Sequence, residues 1–338
     1  MEDHNKKDPS PSSPVHILYL TDTGDIIGGG EFSLLGILEN INRDKFLPFV
    51  VMPHEGNLTK KIRELNVSVF ILPLVKIKNP FHIQVSFRSF KYLLALMKNI
   101  QVNLVHSNSC GGIAILGGLA AKILKVPFVW HLRTFDAGGF VGYIQGFLAT
   151  RIIVISKALE NTSFCRAHRD KNIVIYNGID LARFGNSPDR ERFRNELGCQ
   201  EGELLVGNIG RYNRIKGYEY LIRAAKIVTE ELLCVKFVIV GFGFRNAIPY
   251  VSRLQCLISR LDLEGRVILK EEREDIPGVL SAMDVFVFSS PKEPFGRVLV
   301  EAMASSRPTV AFRGGGAPEI IEDGQTGFLV PARNARTM

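Results

Sequence analysis

Four short constellations combine glycines with cations or carboxylates where an apolar run gives way to a helix-like segment. The richest is Gly210-Arg211-Tyr212-Asn213-Arg214-Ile215-Lys216-Gly217. Arg211 offers a forked donor and Lys216 a mobile point charge, both suited to a diphosphate; two solvated cations on a loop are the alternative. The second is Glu293-Pro-Phe-Gly-Arg-Val-Leu-Val-Glu301. A helix starting near Gly296 would expose the amides of Phe295, Gly296, Arg297 and Val298 to an anion. Glu301, just over one turn in, leans back toward that end. Carboxylates repel phosphate, so Glu293 and Glu301 suit sugar hydroxyls, unless they are ordinary surface glutamates. In the third, Gly28, Gly29 and Gly30 precede Glu31 and let backbone amides approach a phosphate at a helix start. The fourth, Gly314-Gly315-Gly316-Ala-Pro-Glu319, again passes from a strand end toward a helix, where Glu319 either serves a ligand or answers the dipole of its own first turn.

The elements that would position these residues follow a single rhythm. Short apolar runs alternate with helix-like segments, the pattern of βαβ units around parallel sheets. Strands are expected at 15–20, 46–52, 67–72, 102–106, 127–132, 152–155 and 173–176, and again at 204–209, 235–240, 266–269, 285–288, 308–312 and 327–330. Between about Leu181 and Gly202 the rhythm breaks into charged, helix-like sequence (SPDRERFRNELG), which reads as a linker between two doubly wound domains. In such sheets ligands bind at the carboxyl ends of the strands, where all four constellations fall, so facing domains would put them across a cleft.

Composition narrows the classes. A chain of 338 residues, 46% apolar and with 31 glycines, has material for two cores. Residues 1–14 are polar and proline-rich, expected to be disordered, with no apolar stretch for a signal peptide. The nearly uncharged stretch 107–121 is too short and glycine-rich to span a bilayer, so a cytoplasmic protein is expected. Cys110, Cys165, Cys199, Cys234 and Cys256 are scattered and show no CxxC spacing, which speaks for reduced thiols. The net charge is +8, and residues 59–101 hold Lys60, Lys61, Arg63, Lys76, Lys78, Arg88, Lys91 and Lys98 against Glu64 alone. This bias suggests an anionic partner, without any nucleic-acid motif to accompany it. In the same region Ile83, Phe87, Phe90, Leu94 and Met97 recur at helical spacing. They form either a helix packed on its sheet or part of a basic surface that docks peripherally on the inner face of an anionic membrane. After Gly241-Phe-Gly243 the third glycine of a dinucleotide fingerprint is replaced by Asn246, and no clear ribose-binding acid follows, which disfavours a nicotinamide oxidoreductase.

Taken together, these residues resemble the retaining glycosyltransferases called family four, or glycosyl transferases group 1, of the GT-B fold. The Glu293 and Glu301 spacing within SSPKEPFGRVLVEAMA carries the resemblance, with RPTVAFRGGGAPEIIEDGQTGFLVP, Asn177-Gly178-Ile179-Asp180 and Trp130-His131. It covers residues 15–331 and implies two facing Rossmann-like α/β domains: an acceptor-side domain at 15–181, a linker at 182–203 and a nucleotide-sugar domain at 204–338. It further implies metal-independent hexosyl transfer, with retention, from a nucleotide-diphosphate sugar to a lipid-linked or cell-surface polysaccharide precursor. Arg211 and Lys216 would neutralise the departing diphosphate, Glu293 would hold the donor sugar, Glu301 the ribose, and His131 would contact the sugar from the first domain. Amides of residues 28–30 and 295–298 would line the phosphate path. Lys270 and Ser306 stand where the family usually has glycine, and relatives continue past the position of Met338 through closing helices expected to be missing here. A nucleotide-sugar epimerase of the same fold and an inactive nucleotide-sugar binder are the rival readings.

Overall fold

The computed structural model describes residues 13–73, 80–184, 190–243, 247–271, 273 and 275–338. The expected disorder of 1–14 lies outside them as far as residue 12, as do Lys76, Lys78, and Asn246 of the dinucleotide-like motif. The described residues divide into two compact units, one drawn from 13–26, 30–155 and 160–175, the other from 27–29, 156–159 and 176–338.

The first unit is built on β1 (Val15–Leu20), β2 (Phe46–Met52), β3 (Ser68–Ile71), β4 (Leu104–Ser107), β5 (Phe128–Leu132), β6 (Arg151–Val154) and β7 (Asn172–Val174). They form one sheet in the order β3-β2-β1-β4-β5-β6-β7, every pair parallel. The second unit holds β8 (Leu204–Arg211), β9 (Val235–Phe242), β10 (Val267–Glu271), β11 (Val285–Phe288), β12 (Thr309–Phe312) and β13 (Phe328–Val330), in the order β10-β9-β8-β11-β12-β13, again parallel throughout. Sequences such as VHILYL and VKFVIV are apolar without alternation because parallel strands are covered on both faces. All thirteen expected strands are present. Chain order reverses direction between β1 and β4 in the first sheet and between β8 and β11 in the second. These are the topological switch points, where the loops diverge and leave a crevice.

Two stretches pack differently from what their sequences announced. The segment expected as a linker carries the helix Arg190–Glu196. Its Phe193 joins Phe184 and Leu197 in the core formed with Leu205, Leu280 and Phe286. Arg194 donates to Asp284 at 3.0 Å, to the Ala282 carbonyl at 2.9 Å and to the Glu203 carbonyl, while Arg190 holds the other Asp284 oxygen at 2.8 Å. In the helix Pro80–Asn99, the apolar stripe expected to pack inward is displaced: Phe87 is 57% exposed and Phe90 and Leu94 are half-buried. The buried face runs through Ser89, Leu93, Leu96 and Met97. Ile83 has no described side-chain placement.

Candidate active site

In the second unit, Gly210 and Arg211 end β8, and a 3-10 turn over Arg214–Lys216 follows, opened by Asn213, whose side chain accepts from the Ile215 amide at 3.1 Å. Gly217 closes the turn with φ +66 and starts the helix Tyr218–Glu231. A Cβ on Gly217 would lie 2.3 Å from the Ser289 carbonyl oxygen, so only glycine lets the two loops of the switch point meet. Ser289 repays the approach by donating to the Lys216 carbonyl at 2.8 Å, and Asn208 within β8 donates to Ser289 Oγ at 3.1 Å. Here Lys216 Nζ pairs with Glu293 Oε2 at 2.9 Å, both side chains about one-fifth exposed. The turn cation and the loop carboxylate expected from sequence are thus brought together. Arg211 is exposed at the strand end. Beneath the turn, burial raises the Tyr218 hydroxyl pKa far above its ordinary value, and neighbouring Tyr212, Tyr250 and Glu293 raise it further.

Glu293 owes its place to a backbone sandwich. Gly314, Gly315 and Gly316 press against the loop that carries it: added Cβ atoms would stand 2.1 Å from Pro291 O, 1.9 Å from Glu293 O and 2.6 Å from Phe295 O. The Gly316 amide donates to the Glu293 carbonyl at 2.8 Å. The fourth constellation therefore acts as a buttress. Its Glu319 sits in a 3-10 turn, Ala317–Glu319, rather than a helix. Its carboxylate accepts from the amides of Lys157 and Ala158 at 2.8 and 2.7 Å and from Tyr176 Oη at 3.0 Å, all within the same unit. The expected answer to its own helix dipole is replaced by a cap on another segment.

Phe295 is buried, with the Tyr176 ring stacked at 6.0 Å, and Gly296 is the N-cap of the helix Arg297–Ala304. Val298 lies in its first turn, where amides point out of the helix end. Glu301 does lean back, and Arg297 meets it first, with Nε 2.8 Å from Oε1.

Gly28 forms a bend, and the helix Gly29–Asn40 starts with Gly29 and Gly30. In the first unit, His131 lies near the end of β5, buried, with Nδ1 facing two neighbours: Arg133 NH2 at 3.1 Å and His106 Nε2 at 3.3 Å. Its Nε2 has no hydrogen-bond partner among the described residues. Burial, then the Arg133 charge, pushes the pKa of His106 down to about 3. The same causes, with His106 adding a third, hold His131 well below its ordinary value, so both rings are neutral. Arg133 continues the network: Nε donates to Asn108 Oδ1 at 2.9 Å, NH2 to Ser33 Oγ at 3.0 Å, and Asn108 Nδ2 to the Gly30 carbonyl at 3.1 Å. Sequence reading found His131 and the glycine turn but missed His106, Asn108 and Arg133. The one available signal was position: Asn108 directly follows β4 and Arg133 directly follows β5.

The five cysteines are free thiols. Gly241 has a packing role, since a Cβ there would lie 2.1 Å from the Tyr212 ring, whose hydroxyl bonds the Ile239 and Lys270 carbonyls. No described helix is long and apolar enough to cross a membrane.

Two doubly wound parallel-sheet units with ligand-type loops at their switch points define the GT-B class. Residues 27–183 match the family described as Glycosyltransferase Family 4, and residues 189–338 match Glycosyl transferases group 1. The chain belongs to the group 1 glycosyltransferases of GT-B fold. Among solved structures, Anabaena HepE in complex with UDP and glucose superposes with a TM-score of 0.80 at 26% identity, over 95% of this chain and 87% of that one. The same protein is also known with UDP-glucose. Among curated proteins, the N-acetyl-alpha-D-glucosaminyl L-malate synthase of Bacillus anthracis is 32% identical over 180 residues, 53% of this chain and 45% of that one. Spore coat protein SA of Bacillus subtilis is 33% identical over 192 residues, 53% and 51% respectively. These matches span about half the length of the curated relatives.

Proposed function

We propose that this chain transfers a hexosyl group, with retention and without a metal, from a nucleotide-diphosphate sugar to an acceptor. The observation that carries this reading is the Lys216–Glu293 pair at the β8/β11 switch point, one helix start away from the amides near Val298. A cation placed for phosphate and a carboxylate placed for hydroxyls hold each other. Donor binding replaces that pairing: Arg211 and Lys216 take the diphosphate, Glu293 the sugar hydroxyls, and Glu301 the ribose in exchange for Arg297. The amides of Gly28, Gly29 and Gly30 and those of residues 295–298 contribute to the phosphate path, and His131 offers Nε2–H to the sugar. As the C1–O bond to the diphosphate breaks, the cations stabilise the departing charge. The acceptor oxygen bonds C1 from the face the diphosphate leaves, and its proton passes to the leaving phosphate oxygen, which keeps the anomeric configuration.

Because HepE was solved with UDP and UDP-glucose, a UDP-sugar is the first donor class to test. A thermal-shift screen of UDP-, GDP- and ADP-sugars should show one base stabilising the native chain. Equal, negligible shifts with all three would refute the reading.

A membrane-bound acceptor is favoured by the surface of the first unit. Phe140 (81% exposed), Tyr143 and Phe147 stand exposed on the helix Phe140–Leu148, and Lys122 Nζ sits 4.9 Å over the Phe147 ring. Phe87 and Lys91 form a second such pair in the basic region 60–98. Aromatics beside lysines suit an anionic interface. Co-sedimentation with anionic liposomes at low salt tests this, and absence of binding removes the lipid-linked acceptor.

A further inference from the structure

A neutral imidazole has two tautomers, and the one present decides which nitrogen can donate. At His131 the choice lies with Nδ1, which has Arg133 NH2 at 3.1 Å and His106 Nε2 at 3.3 Å. His106 cannot decide, because its ring nitrogen either donates or accepts. A guanidinium only donates. A hydrogen on His131 Nδ1 would point at an N–H of Arg133, so Nδ1 must present its lone pair and the proton must sit on Nε2, which has no partner among the described residues. The same guanidinium grips Ser33 Oγ in the helix Gly29–Asn40 and, through Asn108, the Gly30 carbonyl. One planar group thus spans two loops of the β1/β4/β5 end of the sheet.

We infer that Arg133 is the positioning residue of the first unit: it fixes the Nε2–H tautomer of His131 and ties that ring to the glycine turn. A hydroxyl-bearing ligand reaching the ring would then meet a donor held ready at Nε2. The proposal extends the glycosyl-transfer reading and does not need it for its first test. The charged and titratable groups at the ring are Arg133 on its own strand end and His106 on β4; Tyr19 on β1 has its ring 5.0 Å from that of His106. Arg133 is the one of these that reaches His131 with donors alone.

The test is the long-range proton–nitrogen spectrum of uniformly labelled, ligand-free protein, with the His131 ring assigned by its loss in His131→Gln. Wild-type protein should show a single Nε2–H tautomer at neutral pH. In Arg133→Met the ratio should move about tenfold or more toward Nδ1–H, the scale of one lost hydrogen bond from a charged donor. The acid limb of UDP-glucose turnover should move to higher pH, because the cation that disfavours imidazolium is gone. A residue that only packs would lower stability and leave both readouts where they were, and that result overturns the proposal. Should Arg133→Met fail to fold, an Nδ1–H or imidazolium signal in wild-type protein at neutral pH overturns it equally. If UDP-glucose is not turned over at all, the glycosyl-transfer reading fails for that donor and the ring spectrum still decides the role of Arg133.

Discussion

Replacing Gly315 by alanine should damage the second unit twice, and the two injuries can be separated. Gly315 has φ +57, a region that costs a residue with a Cβ about 1–2 kcal/mol. Its added Cβ would also lie 1.9 Å from the Glu293 carbonyl oxygen. Ordinary contact is about 3.5 Å, so one backbone must retreat by roughly 1.5 Å, with an overpacking cost of about 1–3 kcal/mol. Gly324 supplies the control, since φ is +77 and nothing lies within 4 Å of its added Cβ. Gly324→Ala should therefore show the strain alone, and Gly315→Ala about 1–3 kcal/mol more. In thermal unfolding that difference is roughly 2–12 °C, at about 2–4 °C per kcal/mol for a unit of this size. Calorimetric titration with UDP gives the second readout. The retreating loop carries Glu293 and leads into the amides near Val298, so losing one charge-assisted bond should weaken UDP about tenfold or more in Gly315→Ala. UDP affinity should be unchanged in Gly324→Ala. Equal stability losses, or equal UDP affinities, would refute the buttress role of the glycine run.

Lys216→Ala should lower turnover by about a hundredfold or more, measured as kcat on the donor found by the thermal-shift screen. Arg194→Met should destabilise the second unit by about 3 kcal/mol in urea unfolding, because Asp284 loses a mostly buried partner. Burial raises the Asp284 pKa, but the Leu205 amide, Arg190 and Arg194 together outweigh it and leave the carboxyl below its ordinary range. Its contribution is therefore present above the unfolded carboxyl pKa and lost as pH falls through the lower folded value, so an acid titration of wild type and Arg194→Met should converge at low pH. His106 and His131 act in the same direction in a higher window: both take up protons more readily unfolded. Stability should fall from about pH 6.5 downward by roughly 1.4 kcal/mol per pH unit for each ring, and His106→Gln should reduce that slope.

The strands were legible because buried parallel strands are continuous apolar runs, and Val15–Leu20, Phe46–Met52 and Val285–Phe288 were readable to the residue. The turn at Lys216 and the helix start at Gly296 were legible because glycine and charge there fall together at the carboxyl ends of readable strands. Contacts formed only by folding were not. Glu319 caps residues 161 and 162 positions earlier in the chain, a distance at which local sequence carries no signal. Arg133 reads as a solvated cation until β4 and β5 bring Asn108 and His131 beside it. RERFRNE looks like a charged surface helix, since at seven residues it is too short to show that Phe193 and Arg194 face inward.

That short helix also sets where the second half can be cut from the first. A fragment starting at Leu204 would discard Phe184, Phe193 and Leu197 from its interior and leave Asp284 without either arginine. An expression fragment meant to bind nucleotide by itself should therefore begin upstream of Tyr176, whose hydroxyl and ring also belong to the second unit. A boundary drawn by strand counting alone would open that interior to water and leave a buried-side carboxylate unpaired.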